Sequence, residues 1–345
     1  MTRVLLGVSP IGLGHATRAM VVSRELARRG ADVRIFSGGK AVEFLRLNGL
    51  EADDIVDDPV PKVVNGVMSQ VALWYLRSWL ANRRTIPRTR HLIDAYHPDV
   101  VVGDEEFSGV VVAGERGIKR AFLSDELELG FARTWLARRI EGRVERWYGD
   151  LVRSVDVLIV SEEGTDDGNR VYVGPIARKT TGSCQETRAR FGLPSGRMIL
   201  LALSGSGLGR ELATDLVRAP GSTGLEDSFL AVVGNRGRKL TGEGVYDLGV
   251  VPDGQDLVSC ADVVVSLAGK STIDEAEAAG SPIIAIPIRH HAEQERNASA
   301  LGYSADDSRR VLELVRQKIG VRRPPRPYDG EVRAAQAILS LAART

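Results

Sequence analysis

The stretch Asp262–Ala298 reads DVVVSLAGKSTIDEAEAAGSPIIAIPIRHHAEQERNA, and its pattern decides the fold. Asp262–Val265 is a short apolar run, the signature of a strand buried on both faces. Small residues at Ala268-Gly269 interrupt it. A helical stretch follows, and Pro282–Ile286 reads as the next strand. Strand, small-residue loop, helix and strand make one βαβ unit of a parallel sheet.

The same rhythm extends outward in both directions. Arg3–Val8 is an apolar run closed by Ser9-Pro10, then a helix pattern reaches Arg29. Asp32–Phe36, Asp99–Gly103, Lys119–Leu123 and Asp156–Val160 repeat the strand signal. The rhythm pauses at Tyr172–Ile176, and the polar stretch that runs to Gly192 reads as a linker. It resumes with Met198–Leu203, a glycine loop at Ser204–Gly207, and a strand at Phe229–Val233. Glu331–Ala343 is a terminal amphipathic helix. The expected organisation is an N-terminal domain over 1–175, a linker over 176–192, a second domain over 193–328 and a helix over 329–345. The fold class is α/β, two doubly wound halves with a ligand cleft expected between them.

A chain of 345 residues suits two domains, and 43% hydrophobic with 26% charged residues excludes disorder and fibres. A net charge of +1 gives no electrostatic case for nucleic acid. The two cysteines, Cys184 and Cys260, lie far apart without a CxxC, so neither a disulfide framework nor a zinc site is expected, and a cytoplasmic location fits. The N-terminus reads as a first strand rather than a signal peptide. No run approaches the ~20 apolar residues of a membrane span.

Each half opens with strand, glycine loop and helix. Gly12 and Gly14 let backbone approach a ligand at a helix N-terminus. The dinucleotide fingerprint needs a third glycine, where Thr17 stands, and an acid after the second strand, which ends in Phe36-Ser37. The C-terminal loop has Gly205, Gly207 and Gly209, but its second strand ends in Gly234-Asn235. A dehydrogenase is therefore disfavoured, and no cofactor is expected. Gly269-Lys270-Ser271 is like the end of a phosphate-binding P-loop, but Val264 stands where that motif needs its first glycine, which excludes an NTPase.

The spacing of Ala268-Gly269, Thr272-x-x-Glu275, Ala278-Ala279-Gly280, Pro287, and Gln294 with Asn297-Ala298 resembles the C-terminal domain of GT-B glycosyltransferases of family 28. The peptidoglycan N-acetylglucosaminyltransferases belong to that family. Ser204–Gly209, Val250-Val251-Pro252 and Gly12-x-Gly14-His15 sit at matching places, and the overall character is that of archaeal-type relatives. The resemblance implies two Rossmann-like domains and a nucleotide-sugar site. Glu275 would accept hydrogen bonds from both ribose hydroxyls; its plainer reading is a first-turn glutamate favoured by the helix dipole. The amides of Gly269, Lys270, Ser271 and Thr272 would meet the diphosphate, with Gly205, Ser206 and Gly207 on the phosphate or the sugar. Val251 would read the base through its backbone. Gln294 would bind sugar hydroxyls, or be a polar helix surface. His290 and His291 with Glu293 and Glu295 lack a third spaced ligand, so no metal is expected.

On the acceptor side the resemblance points to His15, beside Gly12 and Gly14. A neutral imidazole there takes a proton from an attacking hydroxyl. Asp104 is its first-choice partner, with Glu105, Glu106 and Asp125 as rivals. All four tryptophans lie in two helical segments, 71–90 and 131–153, and no acid occurs from Pro59 to Ile93 among six basic residues. Leu73, Leu76, Trp79 and Leu80 share one helical face, which reads either as core or as an interfacial anchor for anionic lipid. The expectation is a metal-independent, inverting hexosyltransferase, cytoplasmic and peripheral to the membrane. It would use a UDP-sugar, an N-acetylhexosamine among the options, and a hydroxyl acceptor that is lipid-linked if 71–90 meets a membrane. The alternatives are a UDP-N-acetylhexosamine epimerase or hydrolase, and a non-catalytic nucleotide-sugar-binding partner.

Overall fold

The computed structural model describes residues 1–57, 59, 62–64, 67–125, 130, 132, 134–203 and 210–343. It divides into two compact units, residues 1–62, 70–177 and 328–345 in one, 63–69 and 178–327 in the other.

The chain begins with β1 (Arg3–Val8), α1 (Gly14–Arg28), β2 (Asp32–Ser37), α2 (Gly39–Leu47) and β3 (Ala52–Asp54). A short ribbon, β4 (Lys62–Val64) and β5 (Val67–Ser69), precedes α3 (Val71–Tyr96). Then come β6 (Val100–Asp104), α4 (Phe107–Arg116), β7 (Lys119–Ser124), α5 (Trp135–Ser154), β8 (Val157–Val160) and β9 (Arg170–Tyr172). Seven strands of the first unit form one sheet in the order β3-β2-β1-β6-β7-β8-β9, and every pairing is parallel. The apolar runs are buried because helices cover both faces. Leu5, Phe36 and Val101 pack with Leu92 and Ile93 of α3, and Phe122 and Leu158 pack with Tyr148, Leu151 and Val152 of α5. Each such side chain contributes roughly 1.5–3 kcal/mol by leaving water.

The chain winds from β1 to β2 to β3, then returns to lay β6 on the other flank of β1. That reversal is a topological switch point, where ligands of such sheets bind beyond the carboxyl ends of the strands. Register places Val8 opposite Asp104 and Gly7 opposite Gly103. A Cβ on Gly7 would stand 2.5 Å from the Phe36 ring and 2.7 Å from the Glu106 carboxylate. Glycine is what lets the start of α4 sit this close to the strand ends.

The second unit contains α6 (Cys184–Arg190), β10 (Arg197–Ala202), α7 (Arg210–Leu216), β11 (Ser228–Val233), β12 (Val245–Gly249), α8 (Gly254–Cys260), β13 (Val263–Ser266), α9 (Lys270–Ala279), β14 (Ile283–Ala285), α10 (Ala292–Ala300) and α11 (Val311–Lys318). Its parallel sheet runs β12-β11-β10-β13-β14, so a second switch point lies between β10 and β13. Alternate residues of β10 serve opposite faces: Ile199 and Leu201 join Leu212 and Leu314, while Met198 and Leu200 join Leu257 and Ile273. The final helix, α12 (Gly330–Ala342), belongs to the first unit and packs on α1 and on β6, β7 and β8.

Two expectations are corrected. Cys184 and Cys260 form a disulfide, with Cα atoms 5.2 Å apart. Seventy-six residues separate them in sequence, but α6 packs on α8 and brings them together; the argument from unpaired cysteines to a reducing compartment therefore falls. The apolar face of α3 is not core. Leu73, Leu76, Trp79 and Leu80 are 39–54% exposed, while Tyr75, Ala81, Thr85, Thr89, Leu92 and Ile93 are the buried residues of that helix. Among the described residues, no helix is long and apolar enough to cross a membrane.

Candidate active site

In the first unit, the carboxyl ends of β1, β6, β7 and β8 deliver one polar cluster. After β1 the chain turns through Gly12, at φ +77°, and enters α1 at Gly14. His15 is thus the second residue of a helix that starts at the switch point. Asp104 ends β6 beside it, fixed by the backbone bond from Ser9 N to Asp104 O (2.9 Å). His15 Nδ1 lies 2.9 Å from Asp104 Oδ1. The carboxylate takes Nδ1 as donor, while Nε2 lies 3.6 Å from Glu105 Oε2.

One helical turn on, Arg18 grips the same carboxylate with one edge of its guanidinium. Nε donates to Asp104 Oδ2 at 3.0 Å and Nη2 to Oδ1 at 2.5 Å. Its Nη1 donates to Asp125, which follows β7, and to Ser161 Oγ after β8 at 2.9 Å. Asp104 is fully buried and Arg18 nearly so. Burial alone would raise the Asp104 pKa; the Arg18 charge and the hydrogen bonds from His15 and Arg18 outweigh it and hold the group below the usual carboxylate range.

His15 behaves differently from the sequence-based expectation of a neutral ring. Burial pulls its pKa down, but the charge of Glu105 and the hydrogen bond and charge of Asp104 outweigh burial and the opposing Arg18, and carry it from 6.5 to about 9. The imidazole therefore holds its proton through neutral pH in the ligand-free protein. Of the rival carboxylates, Glu106 caps α4, accepting from Ser108 N and Gly109 N at 2.9 Å each, and Asp125 is tied to Arg18. Sequence reasoning missed Arg18. Its signal was there: an arginine three residues after His15 on the same helix face, with acids at the ends of two later strands.

In the second unit, β13 ends at Ser266, and Ala268 turns the chain with φ +58°, left-handed and costly for a residue with a Cβ. Gly269 is the N-cap of α9, with no side-chain capping bond. Asn297 of α10 donates to Ala268 O (3.1 Å) and braces the loop. Ser271 and Thr272 stand in the first turn of α9. Lys270, the first residue, is engaged by Asp274 at 2.5 Å. Glu275 is 5% exposed and is held by Arg178, with Nε to Oε1 at 2.6 Å and Nη2 to Oε2 at 3.2 Å. The third guanidinium nitrogen of Arg178, Nη1, is buried without a partner among the described residues. Arg178 was also missed by sequence reasoning; it lies 97 residues from Glu275 in a stretch read as linker.

Gln294 is also partly committed: its Oε1 accepts from Ile288 N at 3.0 Å and holds the loop after β14. His291 caps α10, and burial pushes its pKa down to about 4. Glu295 accepts from His290 N at 2.8 Å. Val251 is half-buried between β12 and α8. Gly205, Ser206 and Gly207 lie outside the described residues. Among the described residues, no three His, Cys, Asp or Glu side chains gather to hold a metal.

Comparison with known proteins fits this geometry. Residues 2–119 match the family described as glycosyl transferase family 1, and residues 238–306 match the glycosyltransferase family 28 C-terminal domain. An uncharacterized glycosyltransferase of Methanosarcina acetivorans is 23% identical across 92% of this chain and 90% of its own. The UDP-N-acetylglucosamine–N-acetylmuramyl-(pentapeptide) pyrophosphoryl-undecaprenol N-acetylglucosamine transferase of Nocardia farcinica is 27% identical across 83% of this chain and 76% of its own. Among solved structures, the spinosyn rhamnosyltransferase SpnG superposes with a TM-score of 0.63 at 15% identity, covering 99% of this chain and 95% of its own. At that identity the likeness speaks for the fold alone, two Rossmann-like units of the GT-B type.

Proposed function

Given that the chain is a glycosyltransferase of the GT-B fold, we propose that it transfers a sugar from a UDP-sugar to a hydroxyl acceptor, with His15 as general base. The observation that carries the reading is the His15–Asp104 pair at the first switch point. Once His15 has lost its Nε2 proton to solvent, the acceptor oxygen bonds to the anomeric carbon as its own proton passes to Nε2, and UDP leaves with the electrons of the broken bond. One base and one displacement mean inversion at that carbon. Asp104 orients the ring and stabilises the imidazolium that forms.

The donor falls to the second unit. The amides of Gly269, Lys270, Ser271 and Thr272 at the head of α9 offer the leaving diphosphate donors and a helix dipole, which removes the need for a metal. Glu275 serves the ribose and Gln294 the sugar, through whichever atoms their present partners leave open, and Val251 serves the base through its backbone. The relative from Nocardia, named for UDP-N-acetylglucosamine, makes an N-acetylhexosamine the first donor to try. An epimerase or hydrolase would need carboxylates free to act; Asp104, Glu106 and Asp125 are each committed to a partner, and Glu105 is held by Ser124 on one oxygen and turns the other to His15.

The exposed Trp79 and Leu76 of α3 and Trp135 and Trp147 of α5, set among Arg77, Arg83, Arg84, Arg138 and Arg143, suit an anionic lipid surface. This supports a lipid-linked acceptor and work at the membrane face. The central experiment measures UDP release from UDP-N-acetylglucosamine, with and without hydroxyl acceptors and with and without EDTA. A transferase releases UDP faster when its acceptor is present, and EDTA leaves the rate alone. Release indifferent to every acceptor would favour the hydrolase; binding without release, the non-catalytic partner. Activity lost in EDTA and restored by manganese would remove the metal-independent mechanism.

A further inference from the structure

His15 is gripped from two sides. Asp104 and Glu105 are adjacent in sequence, and in a continuing strand their side chains would point to opposite faces of the sheet. They do not, because Glu105 leaves β6 with φ +45°, in the left-handed region that non-glycine residues avoid. This turn brings both carboxylates to one imidazole. Asp104 meets Nδ1 at 2.9 Å, and Glu105 Oε2 stands 3.6 Å from Nε2.

The placement of Glu105 is itself supported. Its other oxygen, Oε1, accepts from Ser124 Oγ at 3.0 Å. Ser124 Oγ is in turn 3.0 Å from the Tyr148 hydroxyl. With the Ser124 proton given to Glu105, Tyr148 becomes the donor to Ser124, and burial raises its pKa so that it stays protonated. A relay from α5 through the end of β7 thus fixes one carboxylate oxygen and leaves the other toward His15. Such a strained, buttressed acid at the mouth of a polar cluster is an observation that calls for a role.

We propose that Glu105 is a positioning residue that occupies the acceptor-facing nitrogen of His15 in the ligand-free protein, so that the incoming hydroxyl must displace a carboxylate before the ring can act as a base. This rests on the reading of His15 as the base. The charged and titratable groups around the ring are Arg18 on α1, Asp104 and Glu105 at the end of β6, Asp125 after β7 and Tyr148 on α5. Arg18 pairs with both Asp104 and Asp125, so Glu105 is the acid of the cluster that Arg18 does not engage, and its charge acts on the imidazole at Nε2. It holds the proton on Nε2, and displacing it frees that proton to leave to solvent. Glu105 therefore sets the pH range in which the enzyme works, and its removal should widen that range toward acid.

Glu105→Gln tests this, keeping size and hydrogen bonds while deleting the charge. The protein has five histidines, so imidazole nitrogen NMR on the labelled full chain resolves them, and His15→Gln identifies the His15 signal. The wild-type His15 midpoint should lie near 9, and Glu105→Gln should lower it by about one pH unit or more. An unchanged or raised midpoint in a folded Glu105→Gln protein overturns the proposal. UDP release from UDP-N-acetylglucosamine, with water as the acceptor, is then followed against pH. Its acid limb should move with the NMR midpoint. If the NMR midpoint falls and the rate limb stays in place, His15 is not the base, and the role of Glu105 in the working pH falls with that reading.

Discussion

Glu275 offers a decisive perturbation, because its carboxylate has an occupant already. Arg178 grips both oxygens, and the two side chains are 11% and 4% exposed. Removing one member of such a buried pair leaves the other charge stranded, at a cost on the order of 3–5 kcal/mol. Glu275→Ala should therefore destabilise the protein by about that amount whatever its role in binding. Losing a charged acceptor for the ribose should separately weaken UDP by about 1.5–3 kcal/mol, roughly ten- to 150-fold. A double-mutant cycle separates the two effects. Arg178→Met removes the stranded charge, so Glu275→Ala/Arg178→Met should regain most of the stability in urea unfolding. Titration calorimetry with UDP should still show the loss of affinity in Glu275→Ala and in the double variant. If the double variant binds UDP as wild type does, Glu275 acted only through Arg178. If Glu275→Ala alone binds as wild type does, Glu275 is outside the nucleotide site and the donor assignment fails at its best-marked residue.

Three further outcomes are expected. His15→Ala should lower turnover at saturating donor by about 10²–10⁴-fold and leave UDP affinity near wild type; Asp104→Asn should lose less, and its unfolding should come earlier because Arg18 loses its main partner, while a dead Asp104→Asn beside an active His15→Ala would make the carboxylate the base. Because the folded His15 pKa is raised from 6.5 to about 9, its stabilising contribution is complete below pH 6.5 and lost as pH rises through 9, a decline of about 3 kcal/mol; urea unfolding of wild type against His15→Gln from pH 6 to 10 shows it, and a constant difference would refute the raised pKa. Trp79→Ser with Leu76→Ser should reduce sedimentation with phosphatidylglycerol vesicles and leave neutral vesicles unaffected; undiminished sedimentation would move the lipid contact off α3.

How far the sequence could be read depended on the distance over which each feature is encoded. The strands were legible because Val100–Val102 and Val263–Val265 are continuous apolar runs, and a strand covered on both faces must be written that way. The loop before α9 was legible because backbone binding demands small residues at local spacing. Most pairings were not. Asp104 could be named as the first-choice partner of His15, 89 residues away, because it ends a buried strand of the same half, but Arg178 and Glu275 are 97 residues apart and the two cysteines 76, and only the packing of the second unit brings them together. The apolar face of α3 shows another limit. Periodicity marks which residues share a face, and Leu73, Leu76, Trp79 and Leu80 do share one, but periodicity does not reveal whether anything covers it. The pKa of His15 is a third case: the largest influence raising it is the charge of Glu105, whose approach follows from a left-handed φ that no propensity of glutamate would suggest.

The charges of the two units argue for which substrate each receives. Around His15, Asp104, Glu105 and Asp125 face one guanidinium and one imidazolium, so the cluster stays net negative even with His15 protonated. A nucleotide diphosphate brought there would meet like charge in a site shielded from water, where repulsion is least screened. A neutral hydroxyl meets no such barrier, and a carboxylate-rich surround makes the imidazole a stronger base once its Nε2 proton has gone. The head of α9 carries no such net negative charge. Its first turn has no acidic residue, its backbone amides point out of the helix N-terminus, and the acids Asp274 and Glu275 are each balanced by a cation, Lys270 and Arg178. Anions are favoured at such an end. Under the proposed function, this difference in charge favours donor phosphates at α9 and an acceptor hydroxyl at His15. Reversing the sign at one site is the corresponding check: Glu105→Lys should draw inorganic pyrophosphate to the first unit, detectable as perturbed His15 resonances, and if the wild type already shows that perturbation the assignment of the phosphates to α9 is wrong.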